Sequence, residues 1–255
     1  MSGAMDYRGR VALVTGAAGA IGSALVVELR RRGAMVVAAD GAAGKPWPDA
    51  DLRTEGLLRL NVTDRSSVQG LVSRTEAQLG AVDLLVNVAG VVSFGNAETL
   101  PEIEWDRVVD INLKGSFLAC QAVIPGMKRA GFGRIVNIGS VVGKNAGNAR
   151  PWIDAGEQQR AGNVAYGASK AGVHAMTGFL AKELAAHGVT VNAVAPGPVA
   201  TAMTTEFPET LRALLPVGRM GTAADVVNAI LFLAARESGF ITGEILDVNG
   251  GMFCD

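Results

Sequence analysis

The sequence predicts an α/β protein with a single doubly wound sheet, and three observations predict it. Short apolar, β-branched segments alternate with helix-like segments along the chain. A glycine-rich turn joins the first such segment to the first helix, and no linker-like stretch divides the 255 residues. Repeated strand–helix units favour parallel strands with right-handed crossovers. We therefore expect one Rossmann-type domain over 1–255, with a mostly seven-stranded parallel sheet and helices on both faces.

The predicted strands are short runs rich in Val, Ile, Leu and Ala. Near-continuous apolar runs of this kind are typical of strands that helices cover on both faces. The seven runs are 10–15, 34–39, 57–61, 82–88, 134–139, 189–195 and 243–248.

Helix signals lie between these runs. Apolar residues recur every four positions in 21–32, which predicts an amphipathic helix. The sequence Thr-Leu-Pro-Glu at 99–102 predicts a capping box that opens a long helix to Lys128. The sequence Thr-Ala-Ala-Asp at 222–225 predicts a similar start for a helix that ends near Ala235.

The turn at 15–22 reads Thr-Gly-Ala-Ala-Gly-Ala-Ile-Gly and lies between the first strand and the first helix. Backbone N–H groups at a helix N-terminus bind phosphate, provided that side chains leave room for it. Gly16, Gly19 and Gly22 supply that room. A glycine motif alone is weak, but its strand–turn–helix context predicts a dinucleotide site.

Asp40 ends the second predicted strand, 24 residues after Gly16. A carboxylate at this place can accept hydrogen bonds from both hydroxyls of an adenosine ribose, and it repels a 2′-phosphate. Asp40 therefore favours NAD (NAD+/NADH) over NADP as the cofactor. The alternative is that Asp40 is an ordinary residue of a surface turn.

Tyr166 and Lys170 are four residues apart, so a helix presents them on the same face. A nearby ammonium group favours the phenolate and is expected to lower the pKa of the tyrosine towards neutral pH. With a phosphate-binding turn in the same chain, the pair predicts hydride chemistry on a carbonyl or an alcohol. The alternative is a packed aromatic ring beside a solvated lysine.

Composition excludes several other classes of protein. With 23 Lys and Arg against 24 Asp and Glu, the formal net charge is −1, so we expect no nucleic-acid partner. No run of eighteen apolar residues is present, so we expect no membrane span. Cys120 and Cys254 lack metal-ligand spacing, which favours two reduced thiols in a cytoplasmic protein and no metal site.

Several further motifs follow in order along the chain: Asn-Val-Ala-Gly at 87–90, Asn112, Ser140, and Pro-Gly-Pro-Val-Ala-Thr at 196–201. With the glycine turn and the Tyr-x-x-x-Lys pair, they resemble the short-chain dehydrogenase/reductase family, in its subtype of roughly this length, over essentially the whole chain. Two positions depart from the family pattern. Ala20 stands where the middle glycine of the turn is usual, and Val88 replaces a second asparagine.

The resemblance implies a role for each matched residue. Tyr166 is the acid and base, Lys170 lowers its pKa and holds the nicotinamide ribose, and Ser140 hydrogen-bonds the substrate oxygen. Asn112, at a local break in its helix, holds a water that links Lys170 to solvent. Asn61 and Val62 match the position that contacts adenine. The implied cofactor contacts are Gly16, Gly19, Ala20, Ile21, Gly22, Asp40, Asn61, Val62, Asn87, Ala89, Gly90, Tyr166, Lys170, Pro196, Gly197, Val199 and Thr201.

Two segments do not fit a compact domain. Ser140 and Tyr166 are 26 residues apart, about twice the separation in typical members of the resembled family, and the excess falls in 144–164. We interpret this segment as an inserted loop at the rim of the active site, where Arg150 and Trp152 help to bound the substrate. A surface flap or a subunit contact is the alternative. We interpret 201–216 as a lid over the substrate.

The favoured function is an NAD(H)-dependent interconversion of a secondary alcohol and a ketone, both small molecules. The alternatives are a 3-oxoacyl-thioester reductase and a non-catalytic protein that senses NAD(H). Helices 102–128 and 166–186 carry apolar residues on more than one face, and the resemblance suggests that they pair between subunits of a homotetramer or homodimer.

Overall fold

Seven parallel strands form one sheet in the order β3-β2-β1-β4-β5-β6-β7. The structure is a computed structural model that describes residues 5–41, 44–46, 51–53, 56–147, 152–200, 213 and 215–254. The order reverses between β1 and β4, which start the two halves of a doubly wound sheet. The strands are β1 Val11–Thr15, β2 Met35–Asp40, β3 Leu57–Arg59, β4 Leu84–Asn87, β5 Gly133–Ile138, β6 Val189–Pro196 and β7 Ile245–Val248.

The predicted fold is confirmed, and all seven predicted runs overlap an observed strand. The helices are α1 Ala20–Arg31, α2 Arg65–Leu79, α3 Glu102–Val109, α4 Gly115–Ala130, α5 Val142–Asn145, α6 Ala155–Ala161, α7 Val164–Leu184 and α8 Ala223–Ala234. A π-helical turn, Asp110–Lys114, joins α3 to α4, and a 3₁₀ turn, Ala185–His187, follows α7.

Alternate residues of each central strand face opposite sides of the sheet, and each side has its own core. Val11 and Leu13 of β1 belong to the core beneath α2, α4 and α7, whereas Ala12 and Val14 belong to the core beneath α1 and α8. The strands are apolar throughout because both faces are covered. No helix among the described residues is long and apolar enough to cross a membrane.

One of the two predicted capping boxes is present. At the start of α8 the Thr222 side chain accepts from the Asp225 amide, and the Asp225 carboxylate accepts from the Thr222 amide. The box predicted at 99–102 is wrong, because Pro101 occupies the N-cap position and the Thr99 hydroxyl bonds to Asn96 instead.

The segment 144–164 is not the loop that the sequence predicts, because it contains α6. The Asp154 side chain caps α6 by accepting from the Glu157 amide at 2.6 Å, and the Glu157 carboxylate accepts from the Ile153 amide at 2.7 Å. The end of the segment pairs with the loop after β4, since the Gly95 amide donates to the Gly162 carbonyl at 2.7 Å.

Candidate active site

The candidate residues converge at the carboxyl edge of the sheet. Ser140 follows β5, Gly90 follows β4, and Pro196 ends β6. The fold places α7, which carries Tyr166 and Lys170, against this edge. Open α/β sheets bind ligands here, at the ends of strands near the point where the strand order reverses.

Lys170 lies at the centre of the cluster and is 4% exposed. Its Nζ donates to the main-chain carbonyl of Ile138 at 2.7 Å. Burial lowers the pKa of Lys170 to about 8. The Nζ atom also lies 5.8 Å from the centre of the Tyr166 ring, so the two residues share one face of α7, as predicted.

The predicted lowering of the Tyr166 pKa is wrong for the free protein. Burial raises the pKa of Tyr166, and a hydrogen bond with the Ser140 side chain acts in the opposite direction. Desolvation disfavours the phenolate, while the hydrogen bond favours it. The structure thus pairs the two hydroxyls of Ser140 and Tyr166 but keeps the phenol protonated.

Asn112 lies in the π-helical turn, which is the predicted local break of its helix. Its Oδ1 accepts from the Val91 amide at 2.8 Å, and its Nδ2 donates to the Val91 carbonyl at 2.9 Å and to the Ser169 hydroxyl at 3.0 Å. Ser169 in turn donates to the Tyr166 carbonyl at 2.7 Å. Asn112 therefore ties the loop after β4 to the first turns of α7.

The glycine turn has the shape of a phosphate cradle. A Cβ on Gly16, whose φ is +66°, would lie 2.4 Å from the Ala89 nitrogen, and one on Gly22 would lie 2.2 Å from the Gly16 oxygen. Gly19, the N-cap of α1, is exposed and has no side-chain cap. Ala20 is also exposed, so its methyl group does not crowd the protein. The helix N-terminus is therefore open to an anion.

Asp40 lies at the end of β2, beside this cradle. Its Oδ2 accepts from the Ala18 amide at 3.1 Å, which fixes the carboxylate against the turn. Ile21 is partly buried and packs on the core under α1. Asn61 is exposed, and its Oδ1 accepts from the Thr63 amide at 3.1 Å, whereas Val62 is 9% exposed.

Of the predicted cofactor contacts at 87–90, Ala89 and Gly90 lie in the loop after β4, whereas Asn87 ends the strand and is buried. A Cβ on Gly90 would lie 3.3 Å from Asn112 Oδ1 and 3.4 Å from Lys170 Nζ. The Ala89 amide donates to the Thr15 hydroxyl at 3.3 Å. The side chain of Asn87, in contrast, points into the core, where its Nδ2 donates to Asn137 Oδ1 at 2.9 Å.

The segment after β6 is held from two sides. Gly197 donates to the Val248 carbonyl at 3.1 Å, and a Cβ there would lie 2.9 Å from the Asn249 Cα. Val199 pairs with Gly221 in a parallel bridge. Thr201 and most of the predicted lid 201–216 lie outside the described residues, as does Arg150. Trp152 is partly buried and precedes α6.

The sequence patterns do not identify His174 as part of the site. His174 Nε2 accepts from the Ser140 amide at 3.3 Å. The only sequence signal was Gly139, which directly precedes Ser140 and leaves space for the ring.

The fold and this cluster define a class, namely an α/β oxidoreductase with a dinucleotide-type cradle. A family model described as Enoyl-(Acyl carrier protein) reductase matches residues 16–253. The chain is 38% identical over 255 residues to the 3-oxoacyl-[acyl-carrier-protein] reductase FabG of Escherichia coli, covering 98% of this chain and 99% of that protein. It is 39% identical over 259 residues to the FabG of Thermotoga maritima, covering 97% and 99%.

Among solved structures, the crystal structure of gox2181 superposes with a TM-score of 0.82 at 35% identity, and the match covers 97% of this chain and 96% of that one. The chain therefore belongs to the short-chain dehydrogenase/reductase family.

Proposed function

We propose that the protein interconverts a ketone and a secondary alcohol with a nicotinamide cofactor, and that the ketone is a 3-oxoacyl thioester. The observation that carries the reaction type is the hydrogen-bonded pair of Ser140 and Tyr166 hydroxyls, with buried Lys170 beside it, at the same sheet edge as the glycine cradle. The observation that favours the thioester is the name of the curated relatives, which are 3-oxoacyl-[acyl-carrier-protein] reductases over nearly their whole length.

The residues present fit a dinucleotide. The backbone packs so closely around Gly16 and Gly22 that only glycine fits there, and the cradle therefore carries no side chains at these two positions. The first turn of α1 contains no acidic residue that would repel a pyrophosphate. The carboxylate of Asp40, held by the Ala18 amide, is suited to ribose hydroxyls and repels a 2′-phosphate. We therefore propose NAD(H) as the cofactor. A bound nicotinamide supplies or accepts the hydride.

Residues of the chain transfer the proton and bind the carbonyl oxygen of the substrate. In reduction, Tyr166 donates its hydroxyl proton to the carbonyl oxygen, and its raised pKa keeps that proton in place at neutral pH. The Ser140 hydroxyl holds the same oxygen and orients the carbonyl carbon. Lys170, held by Ile138, supplies a positive charge that stabilises the phenolate that remains. In oxidation, the same groups act in reverse.

A dehydrogenase for a small free secondary alcohol is the second candidate, and two observations favour it. Asp40 selects for NAD, and the segment 144–164, with α6, is joined to the loop after β4 through Gly95 and Gly162. This junction brings the end of the segment to the loop after β4, which supports a role for the segment at the substrate site. Trp152 and, in the sequence, Arg150 would then limit the size of the substrate.

A spectrophotometric assay at 340 nm separates these functions. Acetoacetyl-CoA, a 3-oxoacyl carrier protein, crotonyl-CoA and a set of small ketones are each offered with NADH and with NADPH, and the Tyr166→Phe protein is the blank. We expect turnover with NADH and the 3-oxoacyl thioesters. Preference for a free ketone selects the second candidate, and turnover of crotonyl-CoA alone selects enoyl reduction. Tight NADH binding without turnover of any substrate selects the sensor and overturns the proposal.

We also propose that the protein acts in the cytoplasm, because Cys120 and Cys254 are both free thiols.

A further inference from the structure

His174 lies on α7 one turn after Lys170, and two glycines of the preceding segment make room for its ring. A Cβ on Gly139 would lie 2.1 Å from His174 Nε2, and a Cβ on Gly143 would lie 3.0 Å from His174 Cε1. The contact at 139 is shorter than real Cβ atoms make, so an imidazole in this position requires glycine directly before Ser140. A Cβ at 143 would also meet the Ala171 nitrogen at 2.8 Å, so this glycine is required mainly by the backbone of α7. The ring thus packs directly against the turn that carries Ser140.

The contact is a specific hydrogen bond rather than simple packing. Nε2 of His174 accepts the main-chain N–H of Ser140 at 3.3 Å. Because Nε2 is the acceptor, the proton of the neutral ring must be on Nδ1. A protonated ring carries N–H on both nitrogens and cannot accept this bond. It would instead turn its Nε2–H towards the Ser140 N–H, which is repulsive.

Ser140 connects this contact to the reacting groups. It is 6% exposed, its Oγ accepts from the Val142 amide at 3.2 Å, and its side chain is hydrogen-bonded with Tyr166. Both its main chain and its side chain are therefore fixed. A shift of the Ser140 main chain changes the direction of its hydroxyl towards Tyr166 and towards a substrate oxygen.

We propose that His174 is a positioning residue that holds Ser140 in its reactive orientation only while the imidazole is neutral, so that ketone reduction is lost in acid. This inference rests on the proposed function. The charged groups on the elements around the ring are Lys170 on α7, whose ammonium is bonded to Ile138, and Lys144 on α5, which is paired with Asp247 of β7 at 3.0 Å. Free imidazole changes charge near ~6.5, within the range where the enzyme can be assayed.

An assay in the direction of ketone reduction distinguishes the pH effect of His174 from the pH effects of Tyr166 and Lys170. In reduction Tyr166 acts as the acid, and lowering the pH keeps its proton on. Lys170 is also protonated below its pKa of about 8. An acidic loss of kcat in reduction is therefore not expected from Tyr166 or Lys170, and it reports on His174.

Two variants test the proposal between pH 5.5 and pH 7.5, with saturating NADH and substrate. His174→Gln keeps an acceptor at the position of Nε2 but does not titrate, whereas His174→Leu removes the acceptor. For the wild-type protein we expect kcat to fall by about tenfold over this range. For His174→Gln we expect a flat profile near the wild-type plateau, and for His174→Leu a kcat lowered by about tenfold at every pH. NADH affinity is measured alongside and should change little in either variant. The melting temperature should change little for His174→Gln and fall for His174→Leu, which leaves the buried Ser140 N–H without its acceptor.

A wild-type acidic limb that persists in His174→Gln, or full activity of His174→Leu across the range, overturns the proposal. A second readout does not depend on activity. In protein labelled with ¹⁵N-serine, the Ser140 amide should shift with pH in the wild type and stay constant in His174→Gln. If no substrate is turned over but this shift is seen, the proposed reaction fails while the hydrogen bond stands. If the amide does not titrate in the wild type, the inference about His174 fails by itself.

Discussion

The ammonium of Lys170 donates a 2.7 Å hydrogen bond to the carbonyl of Ile138, the last residue of β5. This bond joins α7 to the strand from which Ser140 follows two residues later. This contact therefore ties the helix of the proposed proton donor to the strand that precedes the substrate-binding serine. Burial of the ammonium lowers the pKa of Lys170 to about 8, because desolvation disfavours the charged form.

Lys170 should make the stability of the protein rise with pH. The pKa of Lys170 is about 8 in the folded protein and 10.5 for an unperturbed lysine, as in the unfolded chain. Between these two pH values the unfolded chain binds more protons than the folded protein, so the free energy of unfolding rises with pH. Below pH 8 the full penalty of burying the charge is present, roughly 3 kcal/mol at most. In urea unfolding, we expect the wild type to gain stability relative to Lys170→Met between pH 7 and pH 10.

Lys182 provides the control for this experiment, because it is exposed on the same helix. Lys182→Met should follow the wild-type dependence on pH. If the Lys170→Met and wild-type stabilities stay parallel over the whole range, the ammonium of Lys170 is not desolvated as the structure indicates.

Tyr166→Phe should abolish turnover and spare cofactor binding. Without the hydroxyl the enzyme cannot donate a proton to the substrate oxygen. Loss of this general acid catalysis lowers kcat by about 10²–10⁴-fold. The chain contains 2 tyrosines, and Tyr7 is a matched control, since its buried hydroxyl donates to the Leu231 carbonyl at 2.6 Å. Tyr7→Phe should lose about 1 kcal/mol of stability and keep its kcat. Steady-state kinetics, NADH titration and thermal melting check both variants, and an active Tyr166→Phe protein would refute the assigned role.

The sequence was sufficient to predict the sheet and the location of the site. The runs of apolar residues in β1 and β4–β6 favour strands covered on both faces, and the parallel order then brings Gly16, Ser140 and Pro196 to one edge. These features depend on local patterns and on general rules of chain topology.

Features that depend on tertiary contacts could not be predicted. The raised pKa of Tyr166 follows from burial, which a spacing of four residues does not reveal. The His174–Ser140 contact joins residues 34 apart. The direction of the Asn87 side chain depends on which face of β4 meets α4. In contrast, α6 had a readable signal, because Asp154 and Glu157 have the spacing of a cap.

Alanine at Gly16 should mainly lower stability, whereas alanine at Gly19 should mainly weaken cofactor binding. A methyl group on Gly16 meets the Ala89 nitrogen at 2.4 Å with φ at +66°, so Gly16→Ala should lose about 3 kcal/mol or more of stability. At Gly19 the nearest atom is 3.4 Å from an added Cβ and φ is −70°. Gly19→Ala should therefore fold within about 0.5 kcal/mol of wild type but bind NADH at least about tenfold more weakly. Thermal melting and calorimetric titration measure the two effects, and unchanged NADH affinity in Gly19→Ala would place the pyrophosphate elsewhere.

Asp40→Asn should reduce the preference for NADH over NADPH. The amide keeps an acceptor for the Ala18 N–H and removes only the charge. The repulsion between a carboxylate and a 2′-phosphate is about 2 kcal/mol at close range in water, which corresponds to about thirtyfold. We expect the ratio of kcat/KM for NADPH to that for NADH to rise by about this factor. Asp106→Asn, on the exposed face of α3, is the control, and an unchanged ratio in Asp40→Asn would remove the argument for NAD.

Phe117 and Phe179 should form part of an interface between copies of this chain. The two helices predicted to pair between subunits bury several of their apolar residues within the chain, among them Val108, Leu118, Val173 and Leu180. Phe117 on α4 remains 40% exposed and Phe179 on α7 remains 79% exposed. A second copy packed on this face would bury both rings, so Phe179→Asp should weaken association by about 2 kcal/mol or more.

Sedimentation velocity at micromolar concentration measures the assembly, and Val27→Asp, which changes a residue 67% exposed on α1, is the control. We expect the wild type and Val27→Asp to sediment as a dimer or tetramer and Phe179→Asp to shift towards smaller species. Tyr166 and Lys170 lie on the same helix as Phe179, so a dissociated variant with a loosened α7 should also lose activity. A wild-type protein that sediments as a monomer would refute the interface, whereas an unchanged Phe179→Asp assembly would move it to another face.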